Sequence, residues 1–217
     1  MAVSTNSARK PRASETTTDT RGERSRKGIK RAVAKLAERK DLTEISLAEI
    51  CRTAKLTTGA IYFHFKDKDE AIEEMAIDEI TLLYGMITEK GLGLAFSALA
   101  DVIITETTRF HRARRSLAKA LQVVINTRPR AYESWITARR PLLAEMERAI
   151  ADLRRAAGLP TADVAYLAVF TLNAMEDVAM DAFQWGNPTL AAYLKTDQDW
   201  NVRQRLFWSH AVLAPMA

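Results

Sequence analysis

A single cysteine among 217 residues removes two classes of protein at once. Cys51 has no second thiol with which to close an internal disulfide, and no cysteine pair exists to build a zinc cluster. Its place on the expected buried face of a short helix reads as core packing rather than redox sensing. Long apolar runs are also missing: none reaches the roughly 20 residues that a membrane-spanning helix needs. The opening MAVSTNSARKPR lacks the apolar centre of a signal peptide, so a cytoplasmic location is expected. No Gly-rich loop follows a strand-like run, and no serine or cysteine nucleophile stands in a recognisable setting. His111 and His210 have no ligand-spaced neighbours. Enzymatic chemistry, a bound metal and a cofactor are therefore not expected.

Charge is present but unevenly placed. Residues 1 to 70 hold 16 Lys and Arg against 10 Asp and Glu, whereas residues 71 to 217 hold 16 against 17. The net charge of +5 thus belongs to the first third of the chain. A basic leading module joined to a nearly neutral remainder suggests a polyanion-binding part attached to a part with another task.

The first 20 residues, rich in Ser, Thr and charge, read as a disordered tail. Arg9, Lys10 and Arg12 within it read as a solvated leader in preference to a minor-groove arm. A first helix is expected from about Gly22 to Lys40. Ile29, Val33 and Leu36 mark its apolar face, and Arg24, Lys27, Lys30, Arg31 and Lys35 spread over the rest. Beyond Lys68 nearly everything has helical periodicity, with helices expected at about 68–90, 94–110, 113–127, 130–157, 161–186 and 198–214. Gly158 with Pro160, and Gly186 with Asn187-Pro188, are stop-and-start signals. Pro141 predicts either a kink or two helices meeting near Arg139 and Arg140. Arg112, Arg114 and Arg115 read as a solvated helix start.

The segment from Ile45 to Lys68 is the most specific part of the chain. Ser46 and Glu49 form a capping box, with Ile45 and Ile50 at the positions of a hydrophobic staple. Leu47, Ile50, Cys51 and Ala54 share one face. After a turn at Lys55 and Leu56, Thr57 is placed to cap a second short helix by accepting from Gly59 or Ala60. Ile61 and Phe65 lie one turn apart and face the core, leaving Thr58, Gly59, Tyr62, Phe63 and His64 pointing elsewhere. Asp67 and Glu70 begin another helix, with Lys68 in its first turn, where a cation opposes the helix dipole and suits a nearby phosphate. Two short helices joined by a tight turn, the second carrying outward hydrogen-bonding and aromatic groups, look like a DNA-reading module.

Ile29, Ala32 and Leu36 on a first helix, then Ser46-Leu47-x-x-Ile50, Ala54, Leu56, Thr57-x-x-x-Ile61-Tyr62-x-His64-Phe65-x-x-Lys68-x-x-Ala71-Ile72, resemble the N-terminal domain of TetR-type (tetracycline-repressor-like) transcriptional regulators. The likeness covers about residues 24 to 75, and Tyr-x-x-Phe-x-x-Lys is its specific part. Lys55 stands where the family usually has Gly, and Cys51 where it usually has Ala; the expectation is either that Lys55 takes the left-handed conformation at modest cost or that the turn differs slightly.

The resemblance implies an all-α chain with an N-terminal three-helix helix-turn-helix DNA-binding domain over residues 21–70. A larger helical ligand-binding and dimerisation domain follows over 71–217. It implies a homodimer reading a near-palindromic double-stranded operator, most simply as a repressor released by a small-molecule effector. Thr58, Gly59 and Ala60 then approach base edges, while Tyr62, His64 and Lys68 hold phosphates. Ser46, Thr57, Phe63 and Lys66, with the basic residues of the first helix, complete the expected DNA face.

For the larger domain, Phe96, Trp135, Met146, Phe170 and Met175 are candidate pocket residues, and Glu106, Asp177 and Asp181 suit a cationic ligand if they point inward. Dimerisation is expected through the helices near 161–186 and 198–214. Leu167, Thr171, Met175, Val178 and Ala182 mark one face, and Trp200, Leu206, Phe207 and Leu213 the other. Two competing readings are an enzyme and a co-regulator that keeps the fold but binds protein instead of DNA.

Overall fold

The computed structural model describes residues 20–193 and 197–214, all in helices and short connections, with no strand among them. The expected tail, including Arg9, Lys10 and Arg12, lies outside the described residues apart from Thr20. That residue starts the first helix. Its hydroxyl accepts from the Glu23 amide at 3.2 Å, and the Glu23 carboxylate accepts from the Thr20 amide at 2.6 Å. This capping box begins α1 (Arg21–Ala37) with an acid beside the helix dipole, among the basic residues of the first turns. Ile29, Val33 and Ala37 on its inner face are completely buried.

Two basic residues of α1 turn inward. Lys30, expected on the outer face, pairs with Asp78 at 2.5 Å, and Arg26 forks onto Glu74 and also donates to the His64 carbonyl at 2.6 Å. Both acids lie on α4 (Lys68–Gly91), the long helix that leaves the N-terminal module and runs into the larger domain. The charges that look like a solvated face in the sequence therefore fasten α1 to α4.

A short 3-10 turn (Leu42–Glu44), α2 (Leu47–Ala54) and α3 (Thr58–His64) complete the N-terminal module. The larger domain is built from α5 (Phe96–Ala113), α6 (Arg115–Thr127), α7 (Pro129–Ala156), α8 (Val164–Ala179), α9 (Pro188–Tyr193) and α10 (Asp197–Ala211). α7 packs along α4 and α8, while α5 is covered by α8 and α10. Ile87, Leu99, Ile103, Leu142, Ile150 and Leu172 meet at the centre with no solvent exposure.

Pro141 does not divide α7, which is a single helix. Proline leaves the carbonyl four residues earlier, at Thr137, without its helical donor. Thr137 and Pro141 are both exposed, so water can serve that carbonyl. The far end of α7 is fixed by Arg154, 2% exposed, which donates to the carbonyls of Pro160 (2.6 Å), Val212 (2.8 Å) and Ala214 (3.1 Å). It ties the turn at Gly158, whose φ of 68° suits glycine, to the end of α10.

The helix expected over 161–186 is shorter and changes type. After Ala179 it widens into a π-helical turn, Met180–Trp185, closed by Gly186 in the left-handed conformation. Asn187 then accepts from the amide of Thr189 at 2.9 Å and Pro188 occupies the first position of α9, as the sequence predicts. No helix among the described residues is long and apolar enough to cross a membrane.

Candidate nucleic-acid interface

The approach to α3 is fixed at three successive points. Ser46 accepts from the Glu49 amide at 3.3 Å while Glu49 accepts from the Ser46 amide at 2.9 Å. Lys40 adds an ion pair to the same carboxylate at 2.7 Å. The Lys40 and Ser46 hydrogen bonds hold the Glu49 carboxyl down at about 2. Ile45 and Ile50 are buried beneath this cap, as a staple requires. Lys55 closes α2 with φ 57° and ψ 43°, the left-handed conformation, which is the first of the two alternatives the sequence leaves open. Thr57 then accepts from the Ala60 amide at 3.3 Å and α3 begins.

Anchoring comes from Ile61 and Phe65, which are 0% and 1% exposed. What remains on α3 faces outward. Tyr62 and Phe63 expose 57% and 83% of their surface, Thr57, Thr58 and Gly59 are exposed, and Ala60 is half-buried. A side chain added at Gly59 would meet nothing within 4 Å, so the helix is open there to a close approach from outside. His64 is half-buried, its ring edge-on to Phe63 with centroids 5.0 Å apart.

Lys68 has a local partner that the sequence does not announce. Its ammonium donates to the Ile45 carbonyl at 2.8 Å, linking the first turn of α4 to the residue before the α2 cap. This bond accounts for a lysine in a helix first turn without a phosphate and leaves two ammonium protons for other partners. Lys66 is exposed, and its backbone amide donates to the Glu70 carboxylate. Asp67 itself accepts from the Glu70 amide at 2.8 Å. Cys51 is half-buried with its sulfur 3.6 Å from the Thr58 hydroxyl.

The larger domain contains a cavity of about 390 Å³ between α4, α5, α6, α7 and the α8–π segment. Its walls include Tyr84, Phe110, Leu121, Ile125, Tyr132 and Trp135. Of the five residues proposed from sequence, only Trp135 lines it. Phe96 belongs to a separate cavity near the start of α5, Met146 and Met175 are buried in the core, and Phe170 is 56% exposed on the outer surface. Residue size does not tell which side of a helix is turned toward empty space.

One wall is a polar chain. Tyr84 donates to Glu176 at 2.8 Å and accepts from the Trp135 indole at 3.1 Å, while Arg139 pairs with Glu176 at 3.0 Å and lies over the Trp135 ring at 4.3 Å. Burial raises the Glu176 carboxyl to about 7 against the pull of Arg139 and Tyr84. Burial lowers His111 to about 4, with Gln184 acting the other way, so its imidazole is neutral. Asp177 also lines the cavity; Glu106 is instead paired with Lys90 and Arg109, and Asp181 accepts from Asn187.

The cavity wall α6 is joined to the N-terminal module at both ends. Arg114, just before it, donates to Glu38 at 2.8 Å and Glu79 at 2.7 Å; Arg128, just after it, pairs with Asp69 at 2.9 Å. Burial disfavours the Arg114 charge, but Glu79 and Glu38 outweigh it and raise its pKa. This corrects the solvated reading for Arg114, which is half-buried, whereas Arg112 and Arg115 are exposed as expected. Arg115 donates to the Gln184 carbonyl at 2.6 Å, and Arg112 lies over Phe183.

Residues 29–75, from the middle of α1 into α4, match the family of bacterial regulatory proteins, tetR family. This segment resembles a tetR-family domain. The whole TetR-like architecture extends beyond it. A structure described as a TetR-family transcriptional regulator from Mesorhizobium loti shares 16% identity, with a TM-score of 0.70 over 90% of this chain and 98% of that one. A tetR-family regulatory protein from Rhodococcus gives 18% identity and 0.64 over 89% and 98%. FadR from Bacillus subtilis, in complex with stearoyl-CoA, gives 11% and 0.63 over 88% and 99%. At such identities the likeness shows the fold, an N-terminal tetR-type module followed by a larger helical domain. No match was found among curated proteins.

Proposed function

We propose that the chain is a dimeric, sequence-specific DNA-binding transcriptional regulator, acting as a repressor that a small molecule releases. The observation that carries the reading is α3: a short helix pinned by Ile61 and Phe65 that presents Thr58, Gly59, Tyr62 and Phe63 to solvent. Small residues at its N-terminal end suit close approach to base edges in a major groove, the Thr58 methyl or Ala60 facing a thymine methyl. Tyr62, His64, Lys66 and the remaining protons of Lys68 serve phosphates, with Ser46 and Thr57 at the flanks. The DNA-binding unit ends near residue 70, where α4 passes into the effector and dimerisation domain.

Of the faces expected for pairing, Leu206 and Phe207 on α10 do stand outward, but others are turned in. Leu167, Thr171, Met175, Ala182 and Trp200 are buried within the chain. Outward on α8 stand Tyr166, Val169 and Phe170, and on α10 Val202, Leu206 and Phe207. Tyr166 and Phe170 stack at 6.0 Å. Apolar rows of this kind on neighbouring chains suit a helical-bundle dimer. The cavity beside the α6 ion pairs supplies an effector site, and the stearoyl-CoA complex of the FadR neighbour is a precedent for a ligand in this fold.

The test is selection of the purified chain against a randomised duplex library at moderate salt, followed by sequencing. Enrichment of an inverted repeat supports the reading, and log affinity for that duplex should fall linearly with log salt concentration. Absence of enrichment from folded, dimeric protein would sink it in favour of the co-regulator.

A further inference from the structure

Polar groups in the cavity differ in how far their bonding capacity is used. Glu176 is occupied by Tyr84 and Arg139, and Trp135 donates to Tyr84. Gln184, with no solvent exposure, donates to Gln122 at 2.8 Å, and its side-chain carbonyl, which acts on the His111 imidazole, makes no hydrogen bond of normal geometry. The Nδ1 of His111 is likewise buried and unpartnered. Asp177 lines the same space as a carboxylate with no ion-pair partner among the described residues. The Gln184 carbonyl and the Asp177 carboxylate can only accept, and they share the cavity with the Gln122 and Asn126 amides and the Tyr132 hydroxyl.

The rest of the lining sets the body of the ligand. No lysine or arginine lines the cavity, and Arg139, over the Trp135 ring, is paired with Glu176. Arg115 and Lys119 are engaged with the Gln184 backbone and the Trp185 ring, and neither lines the cavity. An anion entering would meet Asp177 with no free cation to receive it. Phe110, Tyr132 and Trp135 offer apolar and aromatic faces, and rings of this kind attract cations.

We propose that this cavity takes a hydrophobic monocation, an ammonium or amidinium on an aromatic or aliphatic body, whose N–H groups bond to Asp177 and the side-chain carbonyl of Gln184. The inference rests on reading the cavity as the effector site. A volume of about 390 Å³ admits a ligand of modest size, at the lower end of small-molecule sites.

Three probes of one shape and different charge test it by titration calorimetry on the full chain: 1-naphthylmethylamine, 1-naphthalenemethanol and 1-naphthoate. The amine should bind at least roughly fivefold tighter than the alcohol and the naphthoate weakest, the size of preference that one rim carboxylate and aromatic walls provide. Asp177 is exposed, so Asp177→Asn should fold normally and shrink the preference for the amine, and Asp177→Lys should invert the order. Equal binding of amine and alcohol, tightest binding of naphthoate, no binding of any probe to folded protein, or an unchanged order in both variants would each overturn the proposal. Library selection without probes is independent of it. Probe failure with operator enrichment removes only the cation site, whereas failed enrichment with the expected probe order removes only the DNA-binding reading.

Discussion

Phe63 is the residue whose exposure costs the chain most and explains least about its folding. At 83% exposed it contributes little to the core, so Phe63→Ala should leave the thermal midpoint within about a degree or two. The same change should weaken binding to the selected duplex by about tenfold, as read by gel shift; unchanged affinity would remove Phe63 from the interface. Lys68 combines two roles. Losing its bond to the Ile45 carbonyl in Lys68→Met should cost about 1 kcal/mol in urea unfolding. If it also touches a phosphate, the salt slope should fall by about one in the same variant. A stability loss with an unaltered slope would make Lys68 purely structural.

Among the elements, the turn between α2 and α3 has a strain that can be relieved. Lys55 sits at φ 57°, and Lys55→Gly should raise stability by up to about 1 kcal/mol in denaturant unfolding, because glycine carries no left-handed penalty. No gain would mean that the lysine stem offsets the strain by contacts of its own. This turn shows what the sequence makes legible: Ser46, Glu49, Thr57 and Asp67 act on amides three residues away, so spacing alone reveals them. The same holds for Ile61 and Phe65, one turn apart, whose burial follows from periodicity. The cavity was less legible because its walls come from five separated segments. Phe170 and Met175 stand about 140° apart around α8, so one cavity cannot take both, and packing against α5 and α7 turns one outward and the other in. The ion pairs of Arg114 and Lys30 reach 35 to 76 and 48 residues along the chain, respectively, beyond what local pattern reports. The π-turn after Ala179, which brings Gln184 to the cavity, leaves no composition signal at all.

On the scale of the molecule, two buried groups set opposing pH dependences. Glu176 is raised from 4.5 to about 7 by burial, so its contribution to stability is complete below pH 4.5 and lost as pH rises through about 7. His111 is lowered from 6.5 to about 4 by burial, so its contribution is complete above pH 6.5 and lost as pH falls through about 4. Between these limits the two slopes oppose. Removing one in Glu176→Gln should expose the other, with unfolding free energy falling on acidification below pH 6.5 by up to roughly 1.4 kcal/mol per unit. Parallel profiles for variant and parent would contradict it. Pairing is tested by Phe170→Glu combined with Phe207→Glu, both on exposed positions. Sedimentation should show monomer at micromolar concentration with helical content retained, and persistent dimer would place the interface elsewhere. α8 finally joins two of these properties in one rigid rod. Its first half turns Tyr166, Val169 and Phe170 to solvent, and its last turns hand Glu176 and Asp177 to the cavity. A molecule in the cavity and a second copy on the outer face therefore act on the same helix, and if each shifts it, each changes the other's affinity by the same factor. The sensitivity of such a regulator to its effector would then depend on how much of the protein itself the cell contains.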